Sequence, residues 1–204
     1  MLLKWIICRV TESNRAAFHD AQQAWRALAD ADGFRGQAGG WDRDAPETAV
    51  ILAHWAHAPA YRTFMRDIHD TITDGSGQAA LYESSRIELF ELLFGLPGPA
   101  GLKPVFPDDA GNLRIETCDV HFNRQAHFVA AHQETRFPGL SSAEGLLGGG
   151  LFRSCDTPSR FLTATWWRNA PSESDHAAPE LADVRSIESR VIEPDRSWWV
   201  RPDG

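Results

Sequence analysis

The sequence is short of the features that would send it to a membrane, a nucleic acid or a disulfide scaffold. Its longest apolar run, near Leu89 to Leu96, is broken by Glu91 and falls far short of the ~20 residues a spanning helix needs. The stretch Leu2 to Cys8 is too short for a secretory signal and has no charged leader before it. Basic residues are outnumbered: 20 Lys and Arg stand against 28 Asp and Glu, for a net charge of −8. Phosphate binding needs clustered basic side chains, so no nucleic-acid partner is expected. Cysteine is scarce and odd in number. Cys8, Cys118 and Cys155 are widely spaced, which suits a reducing cytoplasm and gives neither a disulfide framework nor a metal pattern. Glycine and proline, 16 and 12 of 204 residues, are too few for a fibrous or disordered chain. The run Gly145 to Gly150 lacks the Lys-Ser/Thr that completes a phosphate loop. No metal and no cofactor are expected.

What is present is organised around Ala49 to His69, AVILAHWAHAPAYRTFMRDIH. Ala49 to Trp55 is an unbroken apolar run with β-branched Val50 and Ile51, which predicts a short, covered strand. Pro59 suits the first turn of a helix, where its missing N–H costs nothing. After it Tyr61, Phe64, Met65, Ile68 and Ile72 recur at three- and four-residue steps, one apolar helical face.

The same design recurs. Arg160 to Pro171 reads RFLTATWWRNAP, and an offset of 112 takes Pro59 to Pro171 and Trp55 to Trp167. That offset also takes Gly33 to Gly145, Gly36 to Gly148, Trp25 to Phe137 and Val10 to Phe122. A shared offset over several segments implies a tandem duplication. In the first half, strands are predicted at Leu2 to Val10, Phe34 to Trp41, Ala49 to Trp55 and Leu81 to Phe94. The helices are Arg15 to Ala31 and the stretch from Pro59 to Gly75. The order is β-α-β-β-α-β, the ferredoxin-like arrangement. The second half repeats it, with strands at Leu113 to Phe122, Gly145 to Arg153, Phe161 to Trp167 and Ile187 to Val200. Its first helix is Asn123 to Phe137, closed by Pro138-Gly139. Its second, at Ser172 to Pro179, is polar and interrupted by proline. The expected domains are residues 1–95 and 112–204, joined by a Pro/Gly linker at 96–111 that carries Pro97, Pro99, Pro104 and Pro107.

Gly33-Phe34, the glycine-bearing strand to Trp41, His54-Trp55, Ala58-Pro59-Ala60-Tyr61, Phe64 and His69 resemble the antibiotic-biosynthesis-monooxygenase, or dimeric α/β-barrel, superfamily. KWIICRV, GQAGGW and RDIHD in the N-terminal half also resemble the YdbC-like bacterial family. The resemblance implies an α+β fold in which tandem ferredoxin-like repeats pair into an α/β barrel. In most of the superfamily two chains do this, and the duplication lets one chain do so alone, with a homodimer of the whole still open. It also implies a pocket for a small, mostly apolar ligand. The haem-degrading branch uses an Asn, a Trp and a His where this chain has Cys8, Phe64 and an early His69, so haem degradation is not expected.

Within that frame His69, flanked by Asp67 and Asp70, is the candidate catalytic base, against the alternative of a helix-end His interacting with the helix dipole. Trp5, Trp41, Trp55, Phe64 and Trp167 are the candidate substrate-binding residues, against the alternative that they fill the core. The adjacent pairs Trp166-Trp167 and Trp198-Trp199 fall on predicted strands and so point to opposite faces. Lys4, Arg86 and Glu88 are polar groups on strands that belong to the pocket if they face inward. His54 and His57, three apart, and His127 and His132, five apart, do not make a metal pattern. The leading functional expectation is a cofactor-independent monooxygenase-like enzyme on a small aromatic or apolar molecule. The alternatives are a non-catalytic small-molecule binder and an assembly protein whose barrel is packed shut.

Overall fold

The computed structural model describes residues 1–96, 106–171 and 181–202. The linker expected at 96–111 lies mostly outside the described residues, as does the polar helix expected at Ser172 to Pro179. The strands, β1 (Leu2–Arg9), β2 (Phe34–Asp42), β3 (Thr48–Trp55), β4 (Ser84–Leu96), β5 (Asn112–Val120), β6 (Leu146–Ser154), β7 (Arg160–Trp167) and β8 (Val184–Pro194), are hydrogen-bonded in the order β1-β3-β2-β8-β5-β7-β6-β4. That order closes on itself as a barrel. No helix among the described residues is long and apolar enough to cross a membrane.

Two compact units make up the chain: Met1–Leu89 with Ile192–Gly204, and Phe90–Val191. In unit 1, β3 is central. It pairs with β1 from Leu2↔Trp55 to Arg9↔Thr48, and with β2 from Phe34↔Trp55 to Trp41↔Ala49. A strand flanked on both sides and apolar throughout is covered on both faces, as its burial from Ala49 to Trp55 shows. Two glycines explain part of the duplication signal. Gly33 and Gly36 have φ of 70° and 130°, and Gly145 and Gly148 have φ of 84° and 140°. Gly36 and Gly148 both sit at a register shift, so each marks a bulge that a residue with a Cβ enters only with strain.

The helices differ more from expectation. The first runs as α1 (Arg15–Ala21) and tightens to a 3-10 coil at Gln22–Leu28. The second is capped by His57, whose Nδ1 accepts from the Ala60 N–H at 3.2 Å, with Pro59 in the first turn. It is not one helix but two, α2 (Ala58–Asp67) and α3 (His69–Ser76), broken at Ile68 (φ −127°, ψ −37°). Phe64 and Ile72 are both buried, and eight residues of straight helix would turn them about 80° apart. The break brings both onto the core.

In unit 2, β7 pairs with β5 and β6, and β6 with the end of β4. α4 (Gln125–Ala131) is followed by a π-helical turn at His132–Arg136 and by α5 (Phe137–Leu140). Pro138 therefore lies inside the first turn of α5, where its lack of an N–H is harmless, rather than ending the helix. The extra turn shifts the repeat offset. Val10 N–H bonds to Glu47 O and Val120 N–H to Ser159 O, so Val10 corresponds to Val120 (120 − 10 = 110) and not to Phe122. The offset of 112 holds from Gly33 through Trp55; in the last strand Phe90 faces Ser154 as Ile192 faces Asp42, so the offset there is 102 (192 − 90).

β8 also ends early. Asp195 caps a 3-10 turn at Arg196–Trp198, accepting from the Ser197 N–H at 3.0 Å. Trp198 and Trp199 are therefore off the strand. Trp198 is buried in unit 1 against Phe18 and Trp41, with ring centroids 5.8 and 5.3 Å away.

Candidate functional site

Strand alternation puts Lys4, Ile6 and Cys8 of β1 on one face. With Ile51 and Ala53 of β3 and Gln37 of β2 they form one wall of a cavity of about 130 Å³ in unit 1. The opposite wall comes from Trp25, Leu28, Phe64 and His69, and the rim from Gln78, Tyr82, Ser85 and Ile87. Register aligns three of these residues: Ala53 faces Lys4 on one side and Gln37 on the other. The floor under a bound molecule is thus a small side chain between two polar ones.

Lys4 is 4% exposed. Its Nζ lies 5.6 Å from the ring centre of Tyr61 and 6.0 Å from that of Phe64. No carboxylate borders the cavity, and burial lowers the Lys4 pKa from 10.5 to about 8. Burial likewise pushes the Cys8 thiol up to about 12, which keeps it neutral and unreactive. The side-chain Nε2 atoms of Gln22 and Gln37 are buried without a hydrogen-bond partner. Trp25 Nε1–H donates to Gln78 Oε1 at 2.8 Å, which fixes that indole at the cavity edge.

Of the residues singled out from sequence, the structure brings three together. Trp55 and Phe64 stack with centroids 4.8 Å apart and planes at 26°, and His69 packs edge-on to Phe64 at 5.7 Å. All three border the cavity. His69 opens α3 rather than closing a helix. Its Nδ1 lies 2.9 Å from Asp70 Oδ1.

The other three candidates lie elsewhere. Trp5 alternates to the opposite face of β1, where the Arg86 guanidinium sits 5.2 Å from its ring. Arg86 and Glu88 belong with it, since Ser85 and Ile87 are the β4 residues that reach the cavity. Trp41 packs between Phe18 and Trp198 under the Arg15 guanidinium. Trp167 is buried in the core of unit 2, with its Nε1–H donating to Thr165 Oγ1 at 2.9 Å. Trp25, Gln22, Gln37 and Gln78 are not among the candidates from sequence: Gln22 lies on a segment read for its apolar stripe, Gln37 on a strand read for its glycines, and Gln78 between a predicted helix and the next strand. Among the described residues, no three His, Cys, Asp or Glu side chains are grouped to hold a metal.

Unit 2 treats the equivalent positions differently. Arg114 stands opposite Thr165 as Lys4 stands opposite Ala53, and Thr165 is opposite Gly149. Arg114 donates to Glu116 at 2.7 Å, and Arg136 reaches both Glu116 and His132 Nε2, the latter at 2.8 Å. His132, held near 4 by burial and by Arg136, stays neutral and accepts. A buried ion network stands where unit 1 has an open cavity.

The comparisons with known proteins follow this division. The family model described as a domain of unknown function (DUF4937) matches residues 2–90. Uncharacterized protein YdbC of Bacillus subtilis (strain 168) is 41% identical over 93 residues, 45% of this chain and 78% of that protein. Among solved structures, the chain is similar to a putative monooxygenase from Lactobacillus acidophilus NCFM (TM-score 0.75, 10% identity, 98% of this chain and 95% of that one). It is also similar to a putative monooxygenase from Fusobacterium nucleatum (TM-score 0.77, 10% identity, 100% and 95%) and to an anthrone oxidase-like protein (TM-score 0.74, 10% identity, 100% and 94%). At such identities these likenesses establish a shared monooxygenase-like fold and nothing about activity. With YdbC sharing two residues in five along the segment that builds the cavity, the chain belongs to the YdbC-like DUF4937 family.

Proposed function

We propose that unit 1 is the active site of a cofactor-independent, monooxygenase-like enzyme acting on a small aromatic molecule. One observation carries the reading: a basic side chain, His69, and a stacked aromatic pair, Trp55 and Phe64, border the same cavity. Size limits the substrate. A cavity of about 150 Å³ accommodates benzene, so about 130 Å³ suits a one-ring molecule and rejects a tricyclic one unless the walls move.

The chemistry fits a CH₂ group acidified by a neighbouring ring and carbonyl. The Asp70 carboxylate beside Nδ1 holds the His69 proton there and leaves Nε2 as the basic nitrogen. Removal of one CH₂ proton gives a delocalised carbanion that O₂ can attack directly. The CH₂ becomes C=O, one oxygen atom is retained, and the other leaves as water with the two hydrogens. All four electrons come from the substrate, so no outside reductant is needed. Oxygen uptake on phenylacetone, a one-ring ketone whose CH₂ lies between ring and carbonyl, tests this. The wild type should consume O₂ in proportion to ketone, and His69→Ala should slow it by about 10²-fold or more. Unchanged turnover in that variant removes His69 from the reaction. Binding of the ketone with no uptake leaves a non-catalytic binding protein.

A further inference from the structure

We propose that the unit 1 cavity selects small aromatic ligands bearing an anionic oxygen head, a carboxylate or enolate, which Lys4 and the Gln37 amide hold while the ring lies against Trp55 and Phe64. This rests on reading the cavity as the ligand site and names the class of molecule it takes.

The wall is built of donors that lack acceptors. Among the described residues the Lys4 ammonium makes no hydrogen bond or ion pair, and it lies near the rings of Tyr61 and Phe64. The Nε2 atoms of Gln22 and Gln37 are also buried and unpartnered. Buried polar groups are nearly always satisfied, and a buried ammonium costs most when left without an anion. None of the protein groups at the cavity is that anion: no Asp or Glu borders it, and burial keeps the Cys8 thiol protonated. A cationic ligand would be repelled, and a neutral one would leave the ammonium as it is.

The choice of side chain points the same way. The chain has 18 arginines and only two lysines, Lys4 and Lys103. In unit 2 the equivalent residue is Arg114, and there the anion is supplied by the chain itself as Glu116. In unit 1 the position equivalent to Glu116 is Ile6, which leaves the anion to come from outside. An enolate head is also the species that the proposed proton abstraction generates, since His69 and Lys4 both stand at the Phe64 ring.

The two-lysine composition makes the test direct. Protein labelled with ¹³C-lysine gives one set of side-chain signals from Lys4 and one from Lys103. It is titrated with benzoate, benzyl alcohol and toluene, with calorimetry in parallel. Benzoate is expected to bind at least tenfold more tightly than benzyl alcohol and to shift the Lys4 signals. Lys4→Met is expected to lose that preference while still binding toluene. Toluene binding with no benzoate preference, or benzoate binding that leaves the Lys4 signals unmoved, overturns the head-group assignment and spares the cavity. Binding of none of the three overturns both.

Discussion

Lys4 and Arg114 occupy one position of a repeated sheet: Lys4 faces Ala53 and Arg114 faces Thr165, and Ala53 and Thr165 are separated by the repeat offset (165 − 53 = 112). One cation is left without a carboxylate beside a cavity, and the other is locked to Glu116. The two should respond to substitution in opposite directions.

Lys4 should be a liability for stability. Its folded pKa of about 8 lies below the 10.5 of the unfolded chain, so between those values the unfolded state binds the proton more readily. Stability is therefore reduced below pH 8 and recovered as pH rises toward 10.5. The shift corresponds to about 3 kcal/mol at most. Urea denaturation at pH 7 should find Lys4→Met more stable than wild type by about 1–3 kcal/mol. The difference should shrink from pH 8 to 10.5. Cys118 titrates at high pH in both proteins and drops out of the comparison, whereas the Cys8 thiol is drawn down by Lys4, so both proteins are compared in a Cys8→Ala background. A less stable Lys4→Met would mean that the ammonium has a partner worth keeping.

Glu116→Gln should do the reverse. It leaves Arg114 and Arg136 buried on either side of a neutral amide. Removing one member of a buried ion network strands the rest, at a cost of about 3–5 kcal/mol. A fall in the urea midpoint at constant slope measures it. A neutral outcome would show that water reaches the network.

Acid should unfold the protein through two histidines. Burial holds His54 near 3 and His132 near 4, both below the ordinary 6.5. As pH falls below 6.5 the unfolded chain takes up protons that the folded chain refuses. The stability they contribute is present above 6.5 and lost progressively down to about pH 3–4, at up to about 2.7 kcal/mol per pH unit for the pair. Stability measured from pH 7 to 4 should show that slope, and His54→Gln with His132→Gln should flatten it.

The parts of the fold that could be read in the sequence are those set by local chemistry. Pro59 and the apolar run before it mark the β3–α2 junction whatever the rest does. Gly33 and Gly36 match Gly145 and Gly148 because positive φ at a turn or bulge can be met almost only by glycine. Trp55 and Phe64 meet because one ends a strand and the other lies on the inner face of the helix that follows. What escaped depends on register and on partners remote in sequence. Trp5 and Lys4 are neighbours in LLKWIICRV, and only the pairing with β3 decides which of them faces the cavity. Trp198 reads as a strand residue from sequence, but Asp195, the cap directly after β8 ends at Pro194, turns the chain into the core. A single lysine within an apolar strand was the legible sign of the site. Its value appears only when Arg114 and Glu116 are set beside it.

Ala53 gives the sharpest test of the cavity, because it is the small residue between Lys4 and Gln37. Ala53→Leu adds three carbons above the floor without changing strand pairing, since β3 already carries Ile51 and Leu52 in sequence. If the space is open, the added side chain fills it. Apolar burial then offsets any crowding, and stability changes by less than about 1.5 kcal/mol in either direction. Toluene binding should disappear, and benzoate binding with it. If the walls are in fact closed, the larger side chain overpacks and stability falls by about 1–3 kcal/mol with no ligand effect to lose. Thermal melts of wild type and Ala53→Leu, each with and without 5 mM toluene, separate the two. Toluene should raise the wild-type midpoint by stabilising the state that binds it and leave that of the variant where it was.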